Sequence, residues 1–198
     1  MSGRDLFFLD EEGGNAMKKN SKLKRTAITF LIGTVIWTGL PCWACAKEKG
    51  IYPARAGTIL VTPDNENKMA RVFKLGHAAI VLNKSTVVEA TLPRVTVSKN
   101  AWKSRSQVKK VYGLNVKTTN ASQDEQAAQW CRRQVGKPYN INYTDVNTRK
   151  KFYCSQLVWA AFWDNFRVNL NTPAFGKMVS PMELVNSRQT GVIYTYTR

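Results

Sequence analysis

An α+β domain, in which an antiparallel sheet packs against helices, is the fold class this sequence predicts, and three observations carry it. Short apolar segments rich in β-branched residues recur at 57–62, 72–82, 87–90, 95–97, 108–116 and 192–196, with polar or Gly/Pro-containing stretches between them. Two segments open with helix-start signals, Ser122-Gln123-Asp124-Glu125 and Ser180-Pro181-Met182-Glu183, and a third, from Cys154, has helical apolar spacing. The length left after an N-terminal leader suits one domain with its own core.

The first 46 of the 198 residues read as a leader. Lys18, Lys19, Lys22, Lys24 and Arg25 form a basic region, residues 26–40 an apolar run, and Ala44-Cys45-Ala46 a small-x-small cleavage site. This is the pattern of a secretory signal cut after Ala46. The apolar run, interrupted by Gly33, Thr34 and Gly39, falls short of the ~20 residues of a spanning helix. A lipoprotein reading on Cys42 is weakened by Pro41. Asp10, Glu11 and Glu12 are acidic where signal peptides are basic, so Met17 is the expected translation start. Residues 47–198 are then a single domain.

Within that domain, residues 47–56 read as an irregular entry segment held irregular by Pro53. Residues 57–62 form a first strand, 63–67 a polar turn, and 72–82 a second strand that contains His77, the single histidine of the chain. Strands at 87–90, 95–97 and 108–116 follow. The Ser122 capping box opens a helix with Ala128, Cys131 and Val135 on one face, ended by Gly136 and Pro138, and Cys131 reads as a core residue. Ser180 caps a short last helix, and 192–196 closes the sheet.

Cys154 stands at the start of the middle helix, followed by Leu157, Val158, Ala161 and Phe162 at the spacing of one buried face. There the unpaired N–H groups and the helix dipole favour thiolate over thiol, which makes Cys154 a candidate nucleophile; a small core residue is the alternative. A thiolate needs a proton acceptor and donor near neutral pH, and only His77 supplies an imidazole. With one histidine and no CxxC spacing, a histidine-based metal site is not expected, and no cofactor is implied. Glu89 is the candidate to orient the imidazole. If the hairpin loop is Asn83-Lys84-Ser85, Ala79 pairs with Glu89 and His77 with Thr91, so that His77 and Glu89 share a face. A two- or four-residue loop puts Glu89 on the opposite face.

Gly76-His77-Ala78-Ala79-Ile80-Val81-Leu82, then Val87-Val88-Glu89-Ala90, then Gly136-Lys137-Pro138-Tyr139, then Phe152-Tyr153-Cys154-Ser155-Gln156-Leu157-Val158 is a recognisable order. It resembles the permuted papain-like hydrolases of the YiiX/YaeF type, relatives of the NlpC cell-wall peptidases, from Gly57 to about Ser187. The histidine strand precedes the cysteine helix, the reverse of ordinary papain-like enzymes. The resemblance implies a circularly permuted papain-like (NlpC-type) fold, with Cys154 as nucleophile, His77 as base and Glu89 as the orienting residue. It also implies Tyr139 near the oxyanion site; otherwise Tyr139 is an aromatic packed under the Gly-Lys-Pro turn. Two positions depart from the pattern: Thr58 replaces an aspartate, and Gln156 stands where relatives often carry glutamate. Neither touches the proposed catalytic three, and both leave substrate recognition open.

The first 46 residues hold six of the 30 Lys and Arg and four of the 13 Asp and Glu, which leaves about +15 on the rest. Such a field draws a protein to polyanions. The basic residues are scattered and the chain reads as exported, so an anionic wall polymer or membrane surface is expected and nucleic acid is not. Only Cys131 and Cys154 remain after cleavage, too few for a disulfide scaffold, although they could pair with each other. The expected function is a secreted cell-envelope cysteine hydrolase that cleaves an amide, ester or thioester through an acyl-cysteine, with a cell-wall peptide as substrate. Its rivals are a lipid or N-acyl amide hydrolase or acyltransferase of the same fold, suggested by kinship to lecithin:retinol acyltransferase-like enzymes, and a non-catalytic basic module that binds envelope polymers.

Overall fold

The computed structural model describes residues 46–64 and 76–198. The basic and apolar parts of the leader, the Met17 start and the first residues of the expected 72–82 strand lie outside the described residues.

Among the described residues seven strands form one antiparallel sheet: β1 Lys47–Lys49, β2 Ile59–Thr62, β3 His77–Asn83, β4 Thr86–Ala90, β5 Val95–Lys99, β6 Lys110–Val116 and β7 Thr190–Thr197. Their order is β1-β7-β6-β2-β3-β4-β5, which sets β2 and β3 in the interior. Among the described residues three α-helices accompany them: α1 Ala121–Arg132, α2 Cys154–Phe166 and α3 Pro181–Asn186. Because strand side chains alternate, Ile59, Val61, Ala78, Ile80, Val88 and Ala90 pack toward α1 and α2, while Leu60, Ala79, Val81 and Val87 pack on the other face against Trp102 and Val108. Both faces are covered, so β2 is buried throughout and reads as a continuous apolar run. No helix among the described residues is long and apolar enough to cross a membrane.

Three local expectations need correction. The entry segment is not wholly irregular: Lys47–Lys49 pairs with β7 as an edge strand, Lys47 opposite Thr197. Its three side chains are all exposed, so only backbone hydrogen bonds build it and no apolar alternation announces it. The cap of α1 is Asn120, not Ser122. The Asn120 side chain accepts from the Gln123 N–H at 3.0 Å, and the Gln123 side chain accepts from the Asn120 N–H at 3.0 Å. The helix therefore begins and ends early. Ala128 and Cys131 are buried as expected, but Val135 falls in the turn beyond Arg132 and is 44% exposed. Finally, α2 is not half-buried: every residue from Cys154 to Phe162 is buried, so it is the central helix of the domain.

The β3–β4 hairpin decides which face Glu89 occupies. Its tight turn is Lys84-Ser85, with Asn83 opposite Thr86, and the Asn83 side chain accepts from the Ser85 and Thr86 N–H groups at 2.9 and 3.0 Å. A two-residue loop alone would turn Glu89 away from His77. An irregularity between Val81 and Asn83 restores the offset, so Val81 faces Val87 and Ile80 faces Val88. This is the register expected from a three-residue loop, reached by a shorter loop and a bulge.

Candidate active site

Local sequence places each group. Gly76 has φ +75°, a conformation that strongly favours glycine, and a Cβ there would collide with the Thr62 carbonyl oxygen. It delivers His77 as the first residue of β3. Cys154 is the first residue of α2, where its backbone N–H lacks an intrahelical partner. Two contacts fix that helix end against the 178–180 segment: the Val179 N–H donates to the Tyr153 hydroxyl at 3.0 Å, and the Ser155 hydroxyl donates to the Val179 carbonyl at 2.7 Å.

The structure brings Cys154, His77 and Glu89 together. His77 Nε2 lies 2.7 Å from Glu89 Oε2, and His77 is hydrogen-bonded to Cys154 on its other side. With Nε2 on the carboxylate, Nδ1 is the nitrogen left for sulfur. All three residues are buried. Burial alone would lower the imidazole pKa, but the hydrogen bonds and charges of Cys154 and Glu89 overcome it and hold His77 up at about 10. Burial likewise opposes ionisation of the thiol and the carboxyl. The His77 hydrogen bond and charge, helped by the Ala78 N–H and Ser155, bring the Cys154 thiol below its usual range. His77 and Arg105 bring Glu89 well below the usual carboxylate range. The arrangement favours a thiolate–imidazolium pair.

Beside the sulfur lies a narrow pocket of about 20 Å³, lined by Tyr139, Tyr143 and Tyr153, with Gly76, Met178 and Pro181. Tyr139 is thus on the cysteine side of the site. Burial, then the charge of Cys154 and a hydrogen bond with Tyr143, push its phenol far above the ordinary range, so the hydroxyl keeps its proton. Cys131 lies elsewhere, buried between α1 and α2, with its thiol directed at the Leu157 carbonyl at 3.7 Å, and both described cysteines are free. Thr58 and Gln156 are buried and do not line the pocket. The Thr58 carbonyl accepts the Val81 N–H at 2.8 Å, and Gln156 faces the 140–148 loop.

Three residues around Glu89 were not expected from the sequence: Ser98, Trp102 and Arg105. The Ser98 hydroxyl and the Arg105 guanidinium both donate to Glu89, and the Trp102 ring stacks on His77 at 5.4 Å with a 19° tilt. Ser98 alone was findable, since it lies on the strand beside β4. The stretch 100–109 has no period that would aim Trp102 or Arg105 at the site.

The sequence profile of the permuted papain-like amidases, YaeF/YiiX, matches residues 59–190. Among solved structures, the crystal structure of the metalloprotein yiiX from Escherichia coli has a similar fold, with a TM-score of 0.57 and 17% identity over 71% of this chain and 96% of that one. A comparison with curated proteins returns no match. No group of three His, Cys, Asp or Glu side chains among the described residues here is arranged to hold a metal ion. The profile match spans two thirds of the sequence, takes in both the histidine strand and the cysteine helix, and agrees with the order in which they occur. This chain belongs to the permuted papain-like amidases of the YaeF/YiiX family and is a cysteine hydrolase of α+β fold.

Proposed function

We propose that this hydrolase is exported to the cell envelope and cleaves an amide in a cell-wall peptide through an acyl-Cys154 intermediate. The observation that carries the reading is the hydrogen-bonded series Cys154, His77, Glu89 beside a pocket at the start of a buried helix. The thiolate attacks the carbonyl carbon and forms a C–S bond. The His77 imidazolium gives its proton to the leaving nitrogen as the C–N bond breaks, then takes a proton from the water that hydrolyses the thioester, releasing the thiolate. The Cys154 N–H and the protonated Tyr139 hydroxyl donate to the developing oxyanion. Tyr139→Phe is expected to lower kcat about 100-fold with little change in KM. An equal loss through KM alone would move Tyr139 into ground-state binding.

Export is supported by the leader pattern and by β1, which begins at Lys47, so cleavage after Ala46 leaves the whole described sheet intact. N-terminal sequencing of envelope protein is expected to start at Lys47; a start within residues 1–25 rejects the cleavage. A second substrate reading, an acylated lipid or N-acyl amide, is favoured by Ile141 and Phe175. They are 67% and 51% exposed, on the loops that supply Tyr139, Tyr143 and Met178 to the pocket. Release of amino groups from wall peptide, against release of fatty acid from N-acyl amides, by wild type and Cys154→Ala separates the two. Activity on neither removes both substrate readings, and activity that survives Cys154→Ala removes the acyl-Cys154 reading.

A further inference from the structure

Glu89 does not serve His77 alone. Arg105 takes both of its oxygens, Nη1 to Oε2 at 3.2 Å and Nη2 to Oε1 at 2.9 Å. The Ser98 hydroxyl donates to Oε1 and in turn accepts from Arg105 Nη2 at 3.2 Å. Arg105 follows the short 3-10 helix Trp102–Ser104, which brings the Trp102 ring against both the guanidinium, 5.0 Å from its centre, and the imidazole, 5.4 Å away. Charges therefore alternate from sulfur through imidazolium and carboxylate, all three buried, to a half-buried guanidinium.

We propose that Arg105 is a positioning residue that balances Glu89, so that His77 and Cys154 hold the thiolate–imidazolium pair at lower pH than they otherwise could. The proposal rests on the roles given above to Cys154 and His77. Without Arg105, sulfur, imidazolium and carboxylate bury one net negative charge, which low-dielectric surroundings penalise. A proton relieves it, on sulfur or on Glu89. If sulfur takes the proton, the thiolate is lost directly; if Glu89 takes it, the imidazolium loses its partner and the thiolate is less favoured. Both routes shift loss of the thiolate to higher pH. Among the described residues, the groups facing His77 are Cys154 from α2, Glu89 from β4 and the Trp102 ring; those facing Glu89 are His77 from β3, Ser98 from β5 and Arg105. A lysine would keep the charge but not the two-pronged hold on both oxygens.

The test is the pH profile of iodoacetamide labelling at Cys154 in the full chain, read by peptide mass, with a thermal melt to confirm folding. Arg105→Gln is expected to move the acidic limb up by about one pH unit, and Arg105→Lys by less. A folded Arg105→Gln variant whose limb stays in place overturns the proposal and leaves Arg105 a structural role. Should Arg105→Gln fail to fold, Arg105→Met, which keeps the apolar stem and removes the charge, carries the test, and an unshifted limb in it has the same meaning. His77→Ala separates the two layers. If it leaves the profile unchanged, the roles of Cys154 and His77 fail first; if it shifts the profile while the Arg105 variants do not, only this inference falls.

Discussion

In the folded protein, Cys154 is expected to react with iodoacetamide at a rate that stays near its maximum at pH 6, and His77→Ala is expected to lower that rate by about two orders of magnitude. An ordinary thiol of pKa about 8.5 is thiolate in only about one molecule in 300 at pH 6. Burial of Cys154 makes matters worse, so the ionised form depends on what surrounds it. The principal support is the His77 imidazolium, held protonated up to about pH 10 by Cys154 and Glu89. The native profile therefore rises at acidic pH, stays flat through neutrality and changes again only as His77 loses its proton. In His77→Ala the helix terminus and the Ala78 N–H are left, and the acidic limb moves toward the ordinary thiol. Cys131 is the internal control, because burial raises its thiol well above the usual range and leaves it unlabelled until the protein unfolds. Cys154→Ala removes the label and is expected to remove hydrolysis with it. A Cys154 that reacts only after denaturation would sink the nucleophile assignment and leave the fold untouched.

What could be read in the sequence was whatever a local rule encodes. β-branched runs marked β2, β4, β6 and β7, and the apolar spacing after Cys154 marked α2. Ser180 with Glu183 forms the cap expected for α3: the Ser180 N–H donates to the Glu183 carboxylate at 2.8 Å and the Glu183 N–H to the Ser180 hydroxyl at 3.2 Å. The placement of Glu89 beside His77 was legible only in its result. The turn has two residues, and the offset comes from a bulge that nothing in Val81-Leu82-Asn83 announces. The outer half of the site was not legible, because Trp102 and Arg105 reach Glu89 through tertiary packing of a non-periodic segment. Nor was β1, whose exposed Lys-Glu-Lys pairs through backbone alone.

The two departures from the family pattern show the same limit from another side. Thr58 and Gln156 left substrate recognition open in the sequence, and neither lines the pocket. Gln156 joins the start of α2 to the 140–148 loop, which supplies Tyr143, and Asn140 beside it is the neighbour of Tyr139. Its influence on the site passes through backbone position.

Gln156→Glu is therefore expected to cost about 3 kcal/mol or more of stability at neutral pH, although it changes one atom and no volume. Gln156 is fully buried. Its Nε2 is directed at three backbone carbonyls, Asp145 and Val146 at 3.1 Å and Thr148 at 3.2 Å. Its Oε1 accepts from the Tyr153 N–H and from Asn140 Nδ2, both at 3.1 Å. An amide has a donor end and an acceptor end, and this nest uses both. A carboxylate has acceptors only, so the substitution aims a negative oxygen at three carbonyl oxygens. The introduced carboxyl is expected to titrate above the ordinary value of about 4.3, because in its protonated form one O–H can again face a carbonyl. A carboxyl whose folded pKa is raised destabilises in full above that pKa and not at all below the unfolded value. The gap in melting temperature between wild type and Gln156→Glu should accordingly be wide at pH 7 and narrow toward pH 4. Cys154 labelling at pH 6 should weaken in the same variant, since the helix end that carries the sulfur is anchored through the same side chain. Melting curves that coincide at pH 7 would show that the loop adjusts to a carboxylate.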